Sequence, residues 1–147
     1  MEKNENLKRV QAIVETMEKY ASGDFFMYDG DLYPIDTEDF DKINGCKYDD
    51  ENELYIMPDG EEIPENYIEP ASLYDYFSDY LDIDYIVDRE KQYKAARILV
   101  AWGGPTIYID TCDRQVQLYW WSEHAEADIP MNICDEIDEI FRDFYEC

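Results

Sequence analysis

Basic residues are scarce in this chain, which holds 12 Lys and Arg against 37 Asp and Glu in 147 residues, a formal charge of -25 at pH 7. A protein that grips nucleic acid needs cations to displace counterions from phosphates, so direct contact with DNA or RNA is disfavoured. An anionic membrane surface is disfavoured for the same reason. Long apolar runs are lacking too: no stretch approaches the roughly 18 residues of a membrane span. Met1 to Val10 mixes charges and has no apolar centre of a secretion signal. The chain is therefore expected in the cytoplasm. Cys46, Cys112, Cys134 and Cys147 form no C-x-x-C pair, and four thiols in a reducing compartment are expected rather than two disulfides.

Acidity alone would suggest disorder, but 46% of the residues are hydrophobic and 16% aromatic, whereas disordered acidic tracts are poor in aromatics. The length fits one folded domain over residues 1–147. The charge is uneven along it. Residues 1–23 balance four acids with four bases, and residues 24–90 hold 22 acids against Lys42, Lys47 and Arg89. Residues 91–122 are slightly basic, and residues 123–147 set nine acids against Arg142.

The quiet segments read as scaffold. Leu7, Val10, Ile13, Val14, Met17 and Ala21 follow the spacing of one helix face, with Gly23 as the stop. From Tyr93 to Trp121 the composition turns to strands joined by short turns: 96–102, 106–111 and 115–121, with Tyr85 to Val87 as a possible fourth ahead of them. After Pro130, the residues Ile133, Ile137, Ile140, Phe141 and Phe144 mark a terminal helix, the last part of segment 123–147. In the acidic block, Asp29-Gly30 and Asp59-Gly60 predict two hairpins. Leu73, Tyr76, Phe77 and Tyr80 predict a short helix over 72–81. The expected fold is α+β, an antiparallel sheet with a C-terminal meander of three or four strands, packed with N-terminal and C-terminal amphipathic helices.

Catalytic chemistry finds little footing. His124 is the only histidine, neither a Gly-x-Ser-x-Gly elbow nor a cysteine signature is present, and a loop position at the surface accounts for this residue. Trp102-Gly103-Gly104-Pro105 lacks the Lys-Ser/Thr of a phosphate-binding loop and reads as a hairpin turn. Asp39 to Gly45 opens like a calcium loop, but Ile43 stands at the fifth place and the glycine at the seventh. Loose divalent-ion binding at Asp49-Asp50-Glu51 stays open. No enzyme activity, cofactor or dedicated metal site is expected.

The pattern of the acids says more than any single one. On a helix over 72–81, Asp75, Asp79 and Asp82 fall at i, i+4 and i+7, a row of carboxylates with steps of roughly 5–6 Å. In the terminal helix Asp135, Glu139 and Glu146 lie along one line, Glu136 and Asp143 along another. Solvated helix faces usually interleave Lys with Glu, and these hardly do. Nine of the 14 tyrosines lie between 24 and 90, and Tyr is enriched at interfaces as well as in cores. Half or more are expected in the core.

In size, charge and Tyr/Asp/Glu-rich blocks such as Tyr48-Asp49-Asp50-Glu51 and Tyr74 to Asp84, the chain resembles the acidic inhibitors made by phages and mobile elements. These are the anti-restriction and anti-CRISPR proteins that mimic DNA or occupy its groove. The resemblance implies a bacterial host cell and a basic nucleic-acid-binding protein as partner, a CRISPR or restriction effector, blocked without catalysis. The expected contacts are Asp49, Asp50, Glu51, Asp75, Asp79, Asp82 and Asp84, with Tyr74 and Tyr80 as anchors and Asp135 and Glu139 in second place. An immunity or antitoxin protein neutralising a cationic toxin nuclease would need the same electrostatics. Like charge opposes self-association through the acidic faces, and the oligomeric state stays open.

Overall fold

A computed structural model describes residues 3–147. Its contacts divide the chain into two compact units, one formed by Lys19–Ser72 and the other by the residues up to Glu18 together with Leu73–Cys147.

Helix α1 (Lys3–Ser22) opens the chain and ends at Gly23, whose φ of +78° supplies the left-handed residue that helix ends favour. Val10, Val14 and Met17 are buried as the spacing predicts. At the first turn the buried residue is Asn6 and not Leu7, which is 42% exposed. The row Asn6, Val10, Val14 rises by four at each step, and Asn6 Nδ2 donates to Glu123 at 3.3 Å.

The smaller unit is built from short pieces. β1 (Phe25–Tyr28) and β2 (Asp31–Pro34) form the first expected hairpin. Asp29 and Gly30 have φ of 51° and 84°, the pair of positive angles of a tight hairpin turn. Helix α2 (Thr37–Asp41) follows, capped by Asp36, whose carboxylate accepts from the N–H groups of Glu38 and Asp39. β3 (Lys47–Asp49), β4 (Leu54–Ile56) and β5 (Glu62–Pro64) form a three-stranded sheet, one strand more than the second hairpin required. Gly60 closes the turn between its last two strands, donating to Met57 O at 2.8 Å with φ +88°. Phe26, Phe40, Cys46, Tyr55 and Met57 make the core. The Phe40 and Tyr55 rings meet edge to face at 4.9 Å, and the Tyr55 hydroxyl reaches Ile35 O at 2.6 Å.

The larger unit carries the meander. The expected helix over 72–81 is shorter: α3 spans only Leu73–Tyr76, one 3-10 turn follows over Phe77–Asp79, and Tyr80 is already extended. The sheet comprises β6 (Asp82–Val87), β7 (Tyr93–Ala101), β8 (Thr106–Asp110), β9 (Gln115–Trp120) and β10 (Glu123–Asp128). All neighbours are antiparallel, in the order β10-β9-β8-β7-β6. The fold class is the expected α+β one, with five strands in the sheet. The fifth was hidden because Glu123–Asp128 reads EHAEAD, poor in strand formers. Pairing with β9 along its whole length outweighs that preference.

Strand register separates the sheet into two faces. One rung runs Ile83, Ile98, Ile109, Val116, Ala127, and its three central members are fully buried. The next rung, on the opposite face, runs Asp84, Arg97, Asp110, Gln115, Asp128. Helix α4 (Met131–Glu146) packs against β7 and buries Ile133, Cys134, Ile137 and Phe141. Phe77 and Tyr80 pack edge-on against Phe141. Tyr93 and Thr111 both donate to Asp138 of α4, at 2.6 and 2.7 Å, which ties the helix to the sheet. The four cysteines are unpaired, Cys46 and Cys134 buried, Cys112 and Cys147 exposed.

Candidate protein-interaction surfaces

The smaller unit concentrates the acidity: Lys19–Ser72 carries sixteen acids and three bases. Fifteen of the sixteen are exposed and Asp49 is half-buried. A core of aromatic rings leaves no room for carboxylates, so all of them are pushed to the surface. Several hold the loops together there. Asp41 accepts from the Tyr48 N–H at 2.6 Å. Asp49 accepts from the N–H groups of Glu51 and Asn52 and from Asn52 Nδ2 at 2.9 Å. These bonds, the Asn52 amide foremost, hold its carboxyl below the usual carboxylate range. Tyr28 donates its single hydroxyl hydrogen between Asp59 and Glu61, whose oxygens lie at 2.6 and 2.5 Å. The two hydrogen-bonded carboxylates push the Tyr28 phenol up, and Asp59 is lowered in turn, first by Tyr28.

Of the expected contacts, Asp49, Asp50 and Glu51 belong to this unit. Asp50 and Glu51 are exposed at the turn between β3 and β4, whereas Asp49 is engaged in shaping that turn. The other eight belong to the larger unit. The helical row of Asp75, Asp79 and Asp82 does not form. Asp75 lies in α3, Asp79 in the 3-10 turn and Asp82 in β6, because the extended backbone at Tyr80 breaks the helical repeat. Asp82 and Asp84 share instead the exposed face of an edge strand, and Asp84 stands opposite Arg97. Tyr74 is 59% exposed with its ring edge-on to Phe144, while Tyr80 is half-buried on Phe141. Asp135 and Glu139 are exposed on α4.

Tyrosines in the acidic block are mostly intermediate: of the nine, Tyr55 is buried, Tyr67 and Tyr74 are exposed, and the other six are half-buried. Burial pushes up the phenols of Tyr33, Tyr48, Tyr55 and Tyr85. In the larger unit, burial and then the bond to Asp138 do the same to Tyr93. Burial also pushes the Cys134 thiol up to about 11.

Two features had no reading in the sequence, the Arg97 cluster and a groove beside β10, and the loop position expected for His124 is corrected. Arg97 lies flat on Tyr108, its guanidinium carbon 3.6 Å from the ring centre, with Asp110 at 3.7 Å and Gln117 at 3.3 Å. Alternation along β7, β8 and β9, strands located in the sequence, carries the signal for these side chains on one face, but the register that pairs them does not follow from it. His124 lies on β10 and not in a loop, stacked on Tyr119 at 5.8 Å and 3.6 Å from Glu126. A groove between α1 and β10 gathers Glu15, Glu18, Glu126 and Asp128 over Val14 and Ala127. Among the described residues no three His, Cys, Asp or Glu side chains are grouped to hold a metal ion, and no helix is long and apolar enough to cross a membrane.

Comparison of the chain with protein families, with curated proteins and with solved structures gives no match.

Proposed function

We propose that the protein is a non-catalytic inhibitor that occupies the basic nucleic-acid-binding surface of a bacterial defence effector, a CRISPR or restriction nuclease. The observation that supports this reading is the smaller unit, where sixteen carboxylates and three bases share 19–72 and none of the acids is buried. Crowding like charges on a small aromatic core costs stability through repulsion, and that cost is offset when the face meets a surface of opposite sign. Carboxylates of this density compete with phosphates for Lys and Arg. Electrostatic attraction raises the encounter rate about 10- to 1,000-fold and fades as salt rises.

The test is DNA cleavage by a panel of restriction and Cas nucleases, with and without the protein, at 50 and 300 mM NaCl. Inhibition that is relieved by competitor DNA and weakens at the higher salt is the expected result. The combined variant Asp50→Asn, Glu51→Gln, Asp75→Asn, Asp79→Asn should inhibit less, chiefly through slower association. Cleavage left untouched throughout, at low salt and with the protein in excess, would sink the reading. Inhibition restricted to one toxin nuclease encoded beside the gene would instead mark an immunity protein.

A further inference from the structure

An antiparallel meander brings alternate turns to the same end of its sheet. The turn from β7 to β8 begins at Trp102, and the turn from β9 to β10 is Trp121–Ser122. The chain enters β6 at the same end, where the Leu81 N–H bonds Leu99 O at 2.8 Å. All three tryptophans of the protein, Trp102, Trp120 and Trp121, are therefore gathered there with Leu81. Trp102 is 76% exposed, Trp121 90% and Leu81 58%.

Neither exposed ring is needed by the fold. Trp121 occupies the first place of a two-residue hairpin turn with φ +57°, where Gly, Asn or Asp is the low-energy choice and a bulky residue is strained. Its indole spends that strain without gaining burial, and its ring stands edge-on to Trp120 at 6.1 Å. Trp102 precedes Gly103, which has φ +96° and open space around it, so the turn itself needs no large neighbour. Tryptophan is highly buried on average and is enriched at the energetic centres of interfaces. The strand ends and turns at this end carry acids and no Lys or Arg. Asp79, Asp82 and Glu123 lie there, and no Lys or Arg occurs in 79–82, 101–106 or 120–123. Arg89, Lys91 and Arg114 sit in the turns at the opposite end.

Exposed indoles on a sheet end whose turns carry carboxylates suit a planar cation, which stacks on the ring while its N–H groups meet the acids. The same pairing exists within the protein, where Arg97 lies on Tyr108 against Asp110. We infer that the tryptophan end of the sheet is a docking site for an arginine-rich protein surface, with Trp102 and Trp121 as its anchors. This rests on the proposed function and adds a place and a chemistry to it: guanidinium groups on indoles. A second copy of the chain is the poorer occupant, because it would bring the same acids to the contact.

The probes are deca-arginine and deca-lysine peptides at 50 mM NaCl, with binding followed by titration calorimetry and by intrinsic tryptophan emission. Emission reports on this end alone, since no tryptophan lies elsewhere. Deca-arginine should change the emission and bind more tightly than deca-lysine. Trp102→Ala with Trp121→Ala should weaken it about thirty-fold, the effect of removing interface hot spots. Trp121→Gly relieves the turn and keeps the fold while losing affinity, so weakened binding there is not loss of structure. Peptides that bind equally, leave emission unchanged and ignore the tryptophan variants would overturn the docking site while leaving the acidic-inhibitor reading intact. Failure of both peptides to bind would overturn that reading and the docking site with it. A concentration-dependent dimer by light scattering, abolished by Trp121→Gly, would overturn it in favour of a second copy.

Discussion

Tyr93→Phe tests the join between sheet and terminal helix through the way its effect changes with pH. In the wild type the buried phenol donates to Asp138 at 2.6 Å, and Thr111 donates to the same carboxylate oxygen at 2.7 Å. A hydrogen bond to a charged group contributes about 1.5–3 kcal/mol. Asp138 keeps its second donor in the variant, so the lower end, about 1.5 kcal/mol, is expected at pH 8. Burial and the carboxylate hold the Tyr93 phenol far above its ordinary 10.0 in the folded state. A pKa raised by folding gives stability that is complete below the unfolded value and is lost as pH climbs past it. The unfolded chain sheds the proton first, and the folded state weakens by about 1.4 kcal/mol per pH unit. At pH 11 the wild type has lost about 1.4 kcal/mol through this residue and the Phe variant has lost none. The other tyrosines with raised values add the same slope to both proteins and cancel. Urea unfolding followed by far-ultraviolet circular dichroism at pH 8, 9, 10 and 11 should show the gap closing between pH 10 and 11. A gap that stays constant or widens over that range would refute the reasoning.

Phe40→Ala removes a fully buried ring that meets Phe26, Tyr33 and Tyr55. It should cost about 3–5 kcal/mol, seen as accelerated amide exchange through 19–72. Gly45→Ala should destabilise more than Gly60→Ala. Both have positive φ, but a Cβ at 45 would meet the Pro58 Cβ at 3.3 Å while the space around 60 is open. Comparing their urea midpoints decides it. Raising NaCl from 10 to 500 mM should raise the melting temperature, because the screening length falls from about 30 Å to a few ångströms and relieves the repulsion among the acids. A lower melting temperature in salt would mean that attractive pairs dominate.

Much of the fold was legible because three signals are local. Helical spacing located α1 and α4, the turn pairs Asp29-Gly30 and Asp59-Gly60 located two hairpins, and alternation located the central strands. What was not legible depends on partners distant in sequence. Glu123–Asp128 is a strand only because β9 lies beside it. The helix over 72–81 stops early because the chain straightens at Tyr80 to enter β6 and pair with β7. The candidate surface was legible as a quantity of charge and less as a geometry. Asp49 looked like a neighbour of Asp50 and Glu51, yet its oxygens are turned to backbone N–H groups. Trp102 and Trp121 looked like turn and strand residues, and only the order of the strands shows that they share one end of the sheet.

The sheet of the larger unit is open, and its margins are β6 and β10. Such margins display unpaired amide and carbonyl groups that invite another sheet to add on. Here Asp82 and Asp84 stand exposed along one margin and Glu126 and Asp128 along the other. Carboxylates facing carboxylates oppose the joining of two copies margin to margin at neutral pH. That guard is conditional. Near the sequence pI of about 4.1 the net repulsion vanishes, and both margins become adhesive just where the molecule has lost its charge. Acidification is thus the condition under which sheets of this protein should join margin to margin.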